Sequence, residues 1–247
     1  CLLFPAFFLI VQKQPLKIYP CKTMSLGIPR LLKTSLNIGW LSLMTLVLTG
    51  ASRTFAADEV IHYQRLISFG SITNDGWQPW CPLIEGSDGA LYGTNYNGGS
   101  TNYGAVFKLN KDGSDYSLLH HFGDSAADGR KPQGGLIEAS DGFLYGTTEA
   151  GGSHGSGTIF RMLSDGSAYT VMHSFVSSEG TGPLAALVEG SDGVLYGTAS
   201  EGGADAWSGT VFAINKDGGN FRVLHRFGPS STTDGSLPVS SLLEGSD

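Results

Sequence analysis

Four glutamates, Glu85, Glu138, Glu189 and Glu244, stand at matching places in repeated segments of this chain. A pair of carboxylates could serve as the acid and nucleophile of glycoside hydrolysis, provided that their surroundings tune them apart. Four equivalent copies offer no such asymmetry, so their recurrence argues for scaffold. Three histidines recur in the same way: His120, His173 and His225, each two residues before a phenylalanine. An imidazole can act as a base or a metal ligand, yet the matching place in the leading copy holds Ile67. These histidines are expected to be half-buried and hydrogen-bonded to a neighbouring unit. Asp88, Asp141 and Asp192 in "SDG", with Asp112, Asp165 and Asp217 in "DG", are turn formers, and "NKDGSD" around Asp112 could suggest calcium. The alternating oxygen ligands of a calcium loop are missing, and the reading is turn formation. Asp75, Asp128, Glu179 and Asp234 precede a Gly and, three residues on, a Pro. They read as turn residues ahead of a strand, with a ring of weak cation ligands as the lesser alternative. No Ser-His-Asp order, HExxH or metal-ligand cluster is present, so no catalytic residue, metal or cofactor is assigned.

Chemistry is better sought where the copies disagree. Segments such as "NYNGGSTNYG", "TEAGGSHGSG" and "ASEGGADAWSG" vary, as do "GSITNDGWQPWCP" and "GDSAADGRKPQGG". They carry Trp77, Trp80, Tyr103, Arg130, Lys131, His154 and Trp207, none repeated in type. Tryptophan and tyrosine beside cations suit stacking on sugar rings or gripping a peptide. The competing role for Trp77 and Trp80 is to plug or cover the first unit. Variable loops on a rigid support are a common home of binding residues.

The support is a tandem repeat. "LIEGSDGALYGT" begins at Leu83, returns at Leu136 and Leu187 in close variants, and starts once more as "LLEGSD" at Leu242. The markers "LISF", "LHHF", "MHSF" and "LHRF" end at Phe69, Phe122, Phe175 and Phe227, in step with it. The period is about 52 residues, near that of propeller blades of the kelch type. In the first full copy, strands are expected over 82–85, 90–94, 105–109 and 116–122, with Asp-Gly hairpin turns after the first and third. The fold expectation is all-β: a β-propeller-like array of four-stranded blades. In such a meander the tight turns share one face, and the long variable connections share the other.

Three complete units with a leading half and a trailing stub, about 3.5 copies, fall short of a ring of about 4–8 blades. The expectation is an incomplete propeller, a fragment of a longer protein, whose exposed edges invite edge-strand pairing.

Ahead of the repeat, Arg30 and Lys33 precede an apolar run from Trp40 to Leu48, and Thr54 and Ala56 suit a cleavage site. Residues 24–56 read as a signal peptide, the apolar run being too short for a bilayer span of about 20 residues. Residues 1–23 read as upstream, non-native leader, and 58–247 as the repeat domain. All 22 acidic residues but only nine of the 15 basic ones follow Ala57, giving that part a net charge of −13. Such a surface disfavours nucleic acid. Cys81 is the single cysteine after Ala57, which excludes an internal disulfide there.

The ordered set "LxEGSDGxLYGT", a "GG" loop, "GTVF", "DG" and "VLHxF" resembles the GloVer tandem repeat of choice-of-anchor proteins, over roughly Leu66 to Asp247. The resemblance implies an exported propeller-like array, often with a C-terminal sorting signal, and brings no catalytic residues. The functional expectation is a secreted or cell-surface, non-catalytic binding, adhesion or scaffolding protein with a carbohydrate or protein ligand. No membrane span is expected in the mature chain. The alternative is an extracellular polysaccharide lyase or glycosidase on the same scaffold.

Overall fold

The computed structural model describes residues 64–70, 75–228 and 234–246. The expected leader and signal peptide lie outside these residues.

The first repeat holds β1 (Gly76–Trp77), β2 (Ile84–Glu85), β3 (Leu91–Asn95), β4 (Asn97–Gly98), β5 (Ala105–Leu109) and β6 (Ser117–His121). β2, β3, β5 and β6 form a four-stranded antiparallel meander, while β1 pairs with β4 in a small ribbon beyond its end. The second repeat copies this with β7 (Gly129–Arg130), β8 (Ile137–Glu138), β9 (Leu144–Thr148), β10 (Ala150–Gly151), β11 (Thr158–Met162) and β12 (Thr170–Ser174). The third contributes β13 (Val188–Glu189), β14 (Leu195–Ala199), β15 (Thr210–Ile214) and β16 (Arg222–Arg226). A single Thr181–Glu201 bridge stands in for its small ribbon. Each blade has a register shift at one place, after Val106, Ile159 and Val211. This is an all-β, propeller-like array of four-stranded blades, with the strands where the repeat placed them.

The tight turns differ in detail from a two-residue Asp-Gly turn. Gly89 donates to the Gly86 carbonyl at 2.8 Å, and Gly86 to the Ala90 carbonyl at 2.9 Å. Only Gly89 takes a positive φ, +80°, while Asp88 accepts from the Ala90 N–H at 3.0 Å. Aspartate caps the turn and glycine closes it in the left-handed region.

Blades stack face to face, and the core lies between them. Tyr92, Val106 and Phe122 of the first blade meet Leu136, Leu144, Phe160 and Met162 of the second. Tyr145, Ile159 and Phe175 repeat the arrangement against Leu187, Leu195, Phe212 and Ile214 of the third. With both faces covered, every residue of β9 is buried. Each buried phenylalanine contributes about 1.5–3 kcal/mol. The glycine of "LYGT" has a steric reason. Gly146 lies directly across from Phe160, and a Cβ there would come within 2.5 Å of the Phe160 ring.

Polar latches join the blades on the tight-turn side. Glu138 accepts from both the Ser87 N–H and the Ser87 hydroxyl at 2.6 Å. Glu189 does the same to Ser140, and Glu244 to Ser191. Tyr92 donates to Asp88 at 2.7 Å and Tyr145 to Asp141 at 2.7 Å, both tyrosines being fully buried at the blade junctions.

Candidate ligand-binding site

The long connections meet on the side opposite those latches, and a backbone staple builds that face. In the second repeat the Lys131 N–H donates to the Tyr103 carbonyl of the preceding blade at 2.7 Å. Its own carbonyl accepts from the Glu149 N–H at 3.0 Å. Gly182 makes the matching pair with Ser156 and Ser200. The staple requires a left-handed residue: φ is +61° at Gln78, +60° at Lys131, +59° at Gly182 and +56° at Leu237. A side chain at such a φ costs about 1–2 kcal/mol relative to glycine.

The acid three residues before each staple anchors the joint. Asp128 is 4% exposed and accepts from the N–H groups of Gly123 and Gly129, both at 2.7 Å. It also accepts from the Tyr169 hydroxyl at 2.5 Å and faces His120 Nε2 at 3.3 Å. His120 stacks on Tyr169 of the next blade, ring centroids 3.6 Å apart, as His173 stacks on Phe221 at 3.8 Å. Burial pushes the Asp128 carboxyl up, but the hydrogen bonds from His120 and Tyr169 outweigh it and hold it below the usual range. Burial lowers the His173 pKa against the pull of Glu179, which lies 3.0 Å away. His120 and His173 are thus half-buried as expected, but their hydrogen-bond partner is an acid in the inter-blade loop rather than the neighbouring blade; His225 keeps the same acid partner, Asp234, and is exposed. The acids are more than turn residues, and their oxygens are taken up by protein donors rather than left as a cation ring. Among the described residues, no group of three or more His, Cys, Asp or Glu side chains is gathered for a metal ion.

Five of the seven candidate residues come together around the first joint. Trp77 pairs with Asn97 in the small ribbon and its indole N–H reaches Asn102 Oδ1 at 3.4 Å. Trp80 stacks on Tyr96, centroids 4.3 Å apart at 27°. The Lys131 ammonium lies 5.4 Å from the centre of the same Tyr96 ring. The Arg130 guanidinium lies 4.4 Å from the Tyr103 ring centre. Trp77 and Trp80 are 38% and 53% exposed, so neither is a buried plug. His154 and Trp207 sit on the loops of the second and third repeats, exposed, with no ring or hydrogen-bond contact to this cluster.

Tyr96 is the member that the sequence reading passed over. Its signal was present: the matching positions in later copies hold Glu149 and Ser200, so an aromatic there is unique to the first blade. Burial and a hydrogen bond to the Glu149 carboxylate push its phenol up to about 12. Cys81, beneath this surface, is 4% exposed and bonded to the Gln133 carbonyl, and burial pushes its thiol up. On the other side, a shallow hollow between the first two blades is lined by Glu85, Ser87, Glu138 and Ser140. Its Ser87 and Glu138 bond to each other, and Glu85 pairs with Lys111.

A sequence signature of the repeat spans residues 50–247, that of the Gloeobacter/Verrucomicrobia repeat. The chain belongs to the Gloeobacter/Verrucomicrobia repeat family. No curated protein matches this Gloeobacter/Verrucomicrobia repeat chain. Solved structures resemble it at low identity. The nidogen/laminin complex shares 15% identity over 72% of this chain and 55% of that one, with a TM-score of 0.47. A protein described as putative TolB from Agrobacterium tumefaciens shares 12% over 67% and 53%, TM-score 0.42. A gluconolactonase from Xanthomonas campestris shares 20% over 68% and 52%, TM-score 0.41. The repeat chain spans about half the length of these proteins. Likeness at this level decides neither ligand nor activity. No helix among the described residues is long and apolar enough to cross a membrane.

Proposed function

We propose that this repeat chain is a secreted or cell-surface binding scaffold that takes a carbohydrate ligand on its long-loop face, without catalysis. In this reading 24–56 is the export signal, 1–23 precedes it and 58–247 is the binding array. The observation that carries the proposal is the cluster itself. Two exposed tryptophans, two tyrosines and two cations from non-repeated positions converge at one joint, each oriented by a ring, ribbon or hydrogen-bond contact. Pre-oriented aromatic side chains lose little rotamer entropy on binding. Non-catalytic action is supported by the fate of the recurring carboxylates. Glu138, Glu189 and Glu244 cap serine turns, and Asp128 is enclosed by four donors, so each of them is engaged by the scaffold rather than set as an acid–nucleophile pair.

Affinity electrophoresis of the chain in gels containing neutral and acidic polysaccharides tests this. Retardation by at least one polymer, lost in Trp80→Ala, is expected. Retardation by none would overturn carbohydrate binding. Release of reducing ends or unsaturated products would replace the scaffold with an enzyme.

A further inference from the structure

The ligand class follows from how aromatic rings and cations are interleaved at the first joint, and it rests on the binding reading above. Trp80, Tyr96 and Lys131 form one contiguous row: indole against phenol at 4.3 Å, ammonium 5.4 Å from the same phenol. Arg130 and Tyr103 form a second such pair at 4.4 Å. Neither cation has a carboxylate partner among the described residues, whereas Lys108, Lys111 and Lys216 are each paired with an acid. The domain after Ala57 carries 22 acids against nine bases. Arg161, Arg222 and Arg226 also lack an acid partner among the described residues but donate to backbone carbonyls, whereas the adjacent Arg130 and Lys131 lie against aromatic rings. Glu149, a carboxylate that meets the row, is taken up by the Tyr96 hydroxyl.

An exposed indole offers an apolar platform to the C–H faces of a pyranose. A cation held one ring away asks for an anionic group rigidly placed on that same sugar. We propose that this joint binds a uronate-containing glycan, with the sugar ring on Trp80 and its carboxylate at Lys131, and Arg130 serving the next acidic residue. An acidic peptide meets the charge but has no flat ring fixed beside its carboxylate. A neutral glycan meets the platform but leaves both cations without a counter-charge.

The test is calorimetric titration of the chain with tetragalacturonate, its methyl ester and a short poly-glutamate. The ester keeps every ring and removes the charge, so the comparison needs no variant. Binding of the acid at least about tenfold tighter than the ester is expected, as for a charge-assisted contact. Arg130→Gln combined with Lys131→Gln should erase that difference while the thermal midpoint shows the protein still folded. An ester that binds within about twofold of the acid, or poly-glutamate that binds as tightly, would overturn the inference. Silence from both glycans would also overturn it. In that case retardation by a neutral polymer in the gels leaves the scaffold standing, and blank gels remove both.

Discussion

Single side chains decide how tightly one strand can lie on another. Gly146 is the clearest case, since Phe160 covers the space that any Cβ would need. Gly146→Ala is expected to cost about 1–3 kcal/mol by overpacking, measured by urea denaturation; an unchanged midpoint would refute the steric account. Histidine and aspartate set the pH response. The folded-state pKa of His173 lies below its ordinary value of 6.5, with burial the largest cause. The unfolded chain then binds more protons between those two values, so stability is full above pH 6.5 and declines as pH falls below it. The Asp128 pKa is depressed below 3.8, so its contribution is present above that value and is lost as pH falls through the folded pKa. Thermal midpoints should therefore show two separate declines on acidification. His173→Gln should abolish the upper one alone, and persistence of both steps in that variant would reassign the upper titration.

At the scale of elements, the joint between blades is the unit that repeats. Asp128 ties the end of β6, the start of β7 and Tyr169 of the next blade. Asp128→Ala leaves the buried Gly129 N–H, the half-buried Gly123 N–H and the Tyr169 phenol without their acceptor, a loss of about 2–4 kcal/mol. Hydrogen exchange should show it as faster opening at Gly123 and Gly129 before the centres of β9 and β11 respond. The staple is a second element-scale device. Lys131 holds a left-handed conformation that Gly182 adopts freely at the same place. Lys131→Gly should therefore raise stability by about 0.5–1 kcal/mol in the same denaturation assay, the strain relieved exceeding the unfolded-state entropy that glycine adds. The equivalent Gly182→Ala should lower it by a similar amount.

The described blades form a stack in which each completes its neighbour. Residues just before the first blade behave as the last strand of a preceding one. Phe69 meets Phe107 at 5.1 Å, as Phe122 meets Phe160 and Phe175 meets Phe212. Asp75 accepts from the Gly70 and Gly76 N–H groups and from Tyr116, matching the Asp128 joint. Stability in such an array is close to a sum of blade and junction contributions. Gly146→Ala lies within the second blade, whereas Phe69→Ala strikes the leading joint, more than one blade away. Their destabilisations should add within about 0.5 kcal/mol, and strong coupling would contradict the stacked description.

Much of this was legible in the residues themselves. Turn glycines, alternating strands and the phase of "LYGT" against "GTVF" depend on near-neighbour rules, and a repeat states those rules several times over. The blade order, the capping role of the "SDG" aspartates and the half-burial of His120 and His173 followed from them. The unique side chains Trp77, Trp80, Tyr103, Arg130 and Lys131 could be singled out because they broke the repeat. Their convergence could not be read, because it depends on how the "DGxxP" segment of one blade staples to the loop of another, a contact between positions some 28 residues apart such as Lys131 and Tyr103. Tyr96 also broke the repeat, but the same packing is what set it in the row, while His154 and Trp207 fell away from the cluster. Local chemistry determined the blades; only the packing of one blade against the next decided which loop residues share a surface.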